Sequence, residues 1–150
     1  MELNEDLKMK GEVSIVVTGQ DGKIKDTRVI PNLVVTVGKN YIAARMAGTS
    51  GVGAVVMSHM AIGAGTSTPL VGNTVMESSL YRQALSAFTA TTNVVTAVAS
   101  FAAGNGTGAV TEAGIFNDVT TGTMLCHTTF PVVNKEAGDS IAITWAITVS

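Results

Sequence analysis

The chain reads as an all-β, antiparallel fold, and three observations carry that reading. Apolar residues recur at every second position in several segments. Val, Ile and Thr dominate those segments, and turn signals rich in Gly, Asn, Asp and Pro separate them at regular intervals. The spacing predicts about eight strands and one short helix near residues 37–46. That pattern suggests an antiparallel β-sandwich of the jelly-roll type. A single domain over residues 11–150, preceded by a polar N-terminal arm at 1–10, accounts for all 150 residues. A domain of this length can bury roughly two-thirds of its unfolded surface without disulfide or metal staples.

The elements follow in order. Residues 1–10 are polar, lack periodicity and read as the arm. In 11–18, Val13, Ile15 and Val17 alternate with Glu12, Ser14 and Val16, the mark of a half-buried strand. Gly19-Gln-Asp-Gly22 is a hairpin turn, and a polar strand returns over 23–30, ended by Pro31-Asn32. Helical spacing of Tyr41, Ala44 and Arg45, and of Ile42 and Met46, predicts the helix, with Gly48 as its stop. A small-residue loop is expected at 48–53, a strand at 55–62, a loop at 63–69 and a short helical turn at 73–79 capped by Asn73. Further strands are expected at 81–89, 94–101, 109–117, 123–130 and 141–149, with turns at 91–93, 104–108, 118–122 and 131–138. The last strand has the clearest pattern. Ile141, Ile143, Trp145, Ile147 and Val149 share one face, and burying them offers roughly 1.5–3 kcal/mol per side chain, enough to fix the register.

Charge is distributed unevenly. Of 20 charged residues, 13 lie in the first 45 positions, and Glu77, Arg82, Glu112, Asp118, Lys135, Glu136 and Asp139 serve all the rest. A free monomeric domain ordinarily shows a surface roughly a quarter to a third charged. So bare a body is expected to be covered in part by other protein, which makes the chain an assembly component first. The net charge of -2 and the interleaving of Lys8, Lys10, Lys23 and Lys25 with acids argue against a nucleic-acid surface. No apolar run approaches the ~18–20 residues of a membrane span. The single Cys126 can make no internal disulfide and no secretory signal is visible, so synthesis in a cytoplasm is expected.

No motif predicts catalysis, a cofactor or a metal. Gly63-Ala-Gly-Thr-Ser-Thr lacks the Lys of a phosphate loop, and Pro69 follows it. Gly104-Asn-Gly-Thr-Gly108 is followed by strand-like sequence and reads as a hairpin connection. Cys126 and His127 are neighbours in a strand and point to opposite faces. They are poorly placed to chelate one ion or to act as nucleophile and base, and read as a buried thiol and a surface or interface histidine. Asp21, Asp26, Asp118 and Asp139 fall at separate turns without calcium-loop spacing. Glu77, Arg82 and Glu112 stand isolated in the charge-poor body. A buried charge needs a partner, so Arg82 is expected to pair with one or both acids as a structural salt bridge.

Five segments in fixed order carry a resemblance. They are Gly38-Lys-Asn-Tyr-Ile-Ala-Ala-Arg-Met46, Met60-Ala-Ile-Gly-Ala-Gly-Thr-Ser-Thr-Pro69, Leu80-Tyr-Arg82, Val110-Thr-Glu-Ala-Gly-Ile-Phe116 and the stretch from Phe130 to Trp145. From Tyr41 onward the chain resembles the small β-rich structural proteins of tailed-bacteriophage virions. The glycine-threonine loop departs from the family pattern: Val71-Gly-Asn-Thr74 stands where similar chains carry an acidic Asp-Thr segment.

The resemblance implies a non-enzymatic virion part without cofactors. Its first placement is a head decoration or cement protein, a homodimer or homotrimer sitting on the major capsid protein at capsomer junctions of the phage head surface. In that placement the arm residues Glu2, Asn4, Glu5, Asp6, Lys8 and Lys10 are candidates for gripping the shell. A ten-residue arm reaches at most about 33–36 Å. A tail, baseplate or fibre component that contacts the host receptor is the alternative. It is disfavoured by the lack of heptads or a repetitive shaft. A carbohydrate-binding module is a more distant alternative, since Trp145 lies on the apolar face of its strand.

Overall fold

A computed structural model describes residues 1–48 and 55–150. The strand expected at 55–62 therefore begins at the margin of the described residues, and the loop expected at 48–53 lies largely outside them. Among the described residues, nine antiparallel strands and one helix form the fold: β1 (Met9–Thr18), β2 (Ile24–Val34), α1 (Thr36–Ala47), β3 (His59–Gly63), β4 (Ser79–Ala84), β5 (Ala87–Thr91), β6 (Val94–Phe101), β7 (Gly108–Phe116), β8 (Met124–Lys135) and β9 (Ser140–Val149). The all-β antiparallel class is as the sequence predicts. The pairing gives one continuous sheet, in the order β4-β3-β7-β8-β2-β1-β9-β6-β5.

That sheet has to curl. β4 and β5 stand at opposite ends of the strand order, yet Ala84 and Ala87 are three residues apart, at most about 11 Å along the chain. The two ends therefore meet, and the Tyr81 ring on β4 touches Phe101 on β6 edge to face, 6.5 Å between centroids. The 81–89 stretch, expected as one strand, is two. It leaves β3 at Leu85-Ser86, where Leu85 N–H bonds Ser58 and Ser86 N–H bonds Val98, and then pairs with β6. On the opposite side, β2 performs the other handover. It pairs with β1 up to Asn32, then with β8 through Leu33 and Val34.

Alternation sets the core. Val13, Ile15 and Val17 lie beside Trp145, Ile143 and Ile141 across the ten-residue β1–β9 ladder, and all six are at most 1% exposed. Ile141, Ile143, Trp145 and Ile147 are thus the core anchors expected of them. The opposite wall is Met60, Ile62, Ala113, Ile115 and Phe130. A second, smaller cluster of Val35, Ala61, Met76, Phe116 and Met124 lies on the other face of β3, β7 and β8. It is roofed by the long 64–78 connection.

Several sequence expectations are corrected. Neither proline ends its strand. Pro31 lies within β2, and its carbonyl accepts the Thr128 hydroxyl. Pro131 sits in a register break of β8, between Thr129 opposite Glu112 and Val133 opposite Val110, where the ladder asks nothing of its missing N–H. The 104–108 glycine segment joins β6 to β7, which are not neighbours in the sheet, so it is a crossover and not a hairpin. No helical turn forms over 73–79, because Asn73 Oδ1 accepts from Leu70 N–H, behind it in the chain, and caps nothing ahead. The arm is shorter than expected. Lys10 lies in β1, and Lys8 exchanges both backbone hydrogen bonds with Ser150, leaving residues 1–7 outside the sheet.

Helix α1 has no side-chain cap at Val35 and ends on Gly48, whose left-handed φ of 63° lets its N–H close on the carbonyls of Ala44 and Arg45. Gly38 is required where it stands, since a methyl there would strike the Leu125 carbonyl on β8.

Candidate functional site

Two places stand out from the fold: a buried polar cluster under the 64–78 connection and the free edge at β5. The cluster begins with a register break in β7. Between Val110 and Glu112 the ladder shifts, so that Glu112 projects away from the main core, under the connection. Its side chain is fully buried. Three backbone N–H groups of the connection converge on it. Gly65 and Ser78 donate to Oε1 at 3.1 and 2.7 Å, and Glu77 donates to Oε2 at 3.1 Å. The fourth partner is His127 on β8, whose Nε2 lies 2.9 Å from Oε2. Gly65 is small for cause: a Cβ there would come within 2.6 Å of both Glu112 Oε1 and Glu77 Cβ.

The other ring nitrogen of His127 lies 3.2 Å from Asn73 Oδ1, which also accepts the Leu70 N–H. Both ring nitrogens thus face oxygens, Nε2 that of Glu112 and Nδ1 that of Asn73, which fixes the plane of the imidazole. Burial alone would push the Glu112 carboxyl up. The bond from His127 and the N–H groups of Ser78, Glu77 and Gly65 outweigh it and hold the group below the usual carboxylate range. Thr111 adds a bond from its hydroxyl to Gly65 O, and the exposed Glu77 clasps Ser67 through both its N–H and its hydroxyl. A cleft of about 350 Å³ opens beside the cluster, with His127, Asn73, Ser67 and Glu77 among its walls.

Chemically this is a clamp. The carboxylate gathers the two ends of a long connection onto β7, and the histidine beside it meets an amide oxygen where an acyl-transfer site would present a hydroxyl or thiol. Cys126 points to the opposite face, into the main core, and burial pushes its thiol well up.

The expected partnership of Arg82 with Glu77 or Glu112 is corrected. Arg82 instead donates to the carbonyls of Asp118 and Thr121, at 3.0 and 2.7 Å, and its guanidinium lies 3.7 Å over the Phe116 ring. Its neighbours across the ladder, Ala61 and beyond it Gly114, separate it from Glu112. That Glu112 needed a partner was legible. The partner, His127, is expected at the surface or an interface and is only 3% exposed, because the 64–78 connection folds over it. Position in a strand marks which face a histidine takes, and carries no sign of a loop arriving from fifty residues upstream. Among the described residues no group of three or more His, Cys, Asp or Glu side chains could hold a metal ion.

The second place is the edge. Among the described residues β5 pairs only with β6, and all five of its own residues, Ala-Phe-Thr-Ala-Thr, are exposed. It carries no charge and no proline, the usual defences of a strand with unpaired backbone groups. Elsewhere the surface is bare as well. Of the seven charges beyond residue 46, Glu112, Lys135 and Asp139 are buried, Arg82 and Asp118 are half-buried, and only Glu77 and Glu136 are exposed. Lys135 spends its ammonium on the carbonyls of Ala102 and Asp139. Leu70, Val71, Val75, Val119 and Val132 are meanwhile more than two-fifths exposed. Compared with known proteins, the chain matches no family model, no curated protein and no solved structure.

Proposed function

We propose that this chain is a non-enzymatic structural part of a tailed-phage virion, working as a homo-oligomer that decorates and cements the head over the major capsid protein. One observation carries the proposal: beyond residue 46 the folded surface keeps two exposed charges and an undefended strand edge. Folding makes the deficit sharper than composition alone, since three of seven charges go inside. A surface of that kind is costly as a free monomer, prone to edge-to-edge pairing, and suited to burial against other subunits. The resemblance to small virion proteins supplies the kind of assembly, and multivalent attachment would make many weak contacts hold.

The aromatic side chains fit a sugar platform poorly. Trp145 and Tyr41 are buried, and Tyr81 spends its ring on Phe101. Cosedimentation of purified chain with empty heads and, separately, with isolated tails tests the proposal. Saturable binding to heads is expected. Binding to tails alone would move the chain to the tail or baseplate, and binding to neither would end the virion reading.

A further inference from the structure

We propose that residues 1–7 of one copy of this chain add as an extra strand to the free edge of β5 in a second copy. The inference rests on the oligomeric reading above and names the contact that builds the oligomer. The core rows of the sheet run out to that edge. Val13, Trp145, Ala97 and Phe88 stand side by side on four successive strands, the first three fully buried and Phe88 36% exposed. Phe88 is thus an inward-facing aromatic with no neighbour on its outer flank among the described strands.

Residues 1–7 carry what that flank lacks. With the inward face of β1 known to be Val13, Ile15 and Val17, a parity becomes readable upstream. Met1, Leu3 and Leu7 fall at odd positions, and Glu2, Asn4 and Asp6 at even ones, with Glu5 the single charge on the odd face. Leu3 and Leu7 are 80% and 71% exposed. Laid along β5, the odd set comes beside Phe88 and Ala90, while the even set faces water with Ala87 and Thr89. Seven extended residues cover roughly 23 Å, against about 17 Å for the five of β5.

The same segment cannot serve its own β5. Lys10, Thr148, Val94 and Thr91 form one row at that end of the sheet, so β5 lies three strand spacings from β1, roughly 14 Å. Lys8 is fixed by its bonds to Ser150. Crossing the ends of β9 and β6 would use about four of the seven residues and leave about three to pair. The edge of a second copy needs no such crossing, and a donor-to-edge contact repeated by symmetry closes a dimer or a small ring.

The test is complementation between full-length chains, read by sedimentation velocity. One variant spoils the donor (Leu3→Asp with Leu7→Asp) and another the acceptor (Ala87→Glu with Thr89→Glu, which repel the acidic arm). All four positions are exposed, so circular dichroism and Trp145 emission should match wild type. Wild type is expected to oligomerise. Each variant alone is expected to be monomeric, with self-affinity weakened roughly tenfold or more per lost leucine contact. An equimolar mixture should give a 1:1 heterodimer, because one partner keeps an intact edge and the other an intact arm. The proposal is overturned if the donor variant oligomerises like wild type, if the mixture stays monomeric, or if wild type is monomeric throughout the micromolar range. Head cosedimentation of the same samples separates the two readings. A monomeric wild type that still binds heads sinks only the strand donation, and an arm-dependent oligomer that binds no particle sinks only the virion reading.

Discussion

Replacing Glu112 by Gln keeps the volume of the clamp and removes its charge. The carboxylate now serves four donors, three of them backbone N–H groups and one the His127 ring. If the amide oxygen of Glu112→Gln stays where Oε1 receives Gly65 and Ser78, its NH2 faces the Glu77 N–H and His127, donor against donor. One buried backbone donor left unsatisfied costs about 1–3 kcal/mol, and losing a hydrogen bond to the charged carboxylate about 1.5–3 kcal/mol more, about 3–5 kcal/mol in all. That is a large share of the roughly 5–15 kcal/mol that holds a domain together. At about 2–4 °C per kcal/mol for this size, the melting temperature should fall by about 6–20 °C. Trp145, the only tryptophan and fully buried, reports the melt through its emission. Amide hydrogen exchange adds the local readout, since Gly65, Glu77 and Ser78 should lose protection first. A Glu112→Gln chain that melts within about 2 °C of wild type, with those three amides still protected, would refute the clamp.

Acid should act on the same group. The Glu112 carboxyl is held below its ordinary value of 4.5, so the unfolded chain takes up the proton more readily than the fold does. Its stabilising contribution is full above that value and is lost as pH falls through the lower folded one. Urea midpoints measured from pH 7 downward should show the wild-type advantage over Glu112→Gln shrinking below about pH 4.5; an advantage that persists there contradicts the assignment. Gly38→Ala ordinarily favours a helix by nearly 1 kcal/mol, but here the methyl meets the Leu125 carbonyl, so a loss of about 1–3 kcal/mol is expected in chemical denaturation and a gain would refute the packing. Arg82→Lys keeps the charge but loses the Nη1 bonds to the Asp118 and Thr121 carbonyls and the flat contact on the Phe116 ring, and should cost about 1–2 kcal/mol with an unchanged m-value.

Much of the fold was readable because period-2 alternation is enforced by burial on one face. β9 shows it throughout, and Ile141, Ile143, Trp145 and Ile147 are all core. α1 was readable from its spacing and from Gly48. What escaped was information held between distant segments. Tyr81–Thr89 looks like one strand because its local chemistry is uniform; only the partners, β3 and then β6, divide it. Pro31 and Pro131 stop a strand only where the ladder needs their N–H, and the ladder is set by other strands. Within the site, the isolation of Glu112 in a charge-poor body signalled a buried charge. His127 could not be named as its partner, because strand parity says which face a side chain takes and nothing about what folds over it. Arg82, the partner expected from the sequence, is drawn instead to carbonyls at the turn following β7.

The placement of β1 between β2 and β9 carries a consequence for biosynthesis. Each rung of the β1–β9 ladder joins positions more than a hundred residues apart, so a nascent chain can close the 19–22 hairpin early but must leave the other flank of β1 vacant until almost everything else has been translated. During that wait the apolar side of the first hairpin is open to any sticky neighbour emerging on the same messenger. A slow, late-closing ladder of this kind ties productive maturation to rapid completion of the polypeptide, and makes ribosome stalling near the β9 codons a specific route to aggregation.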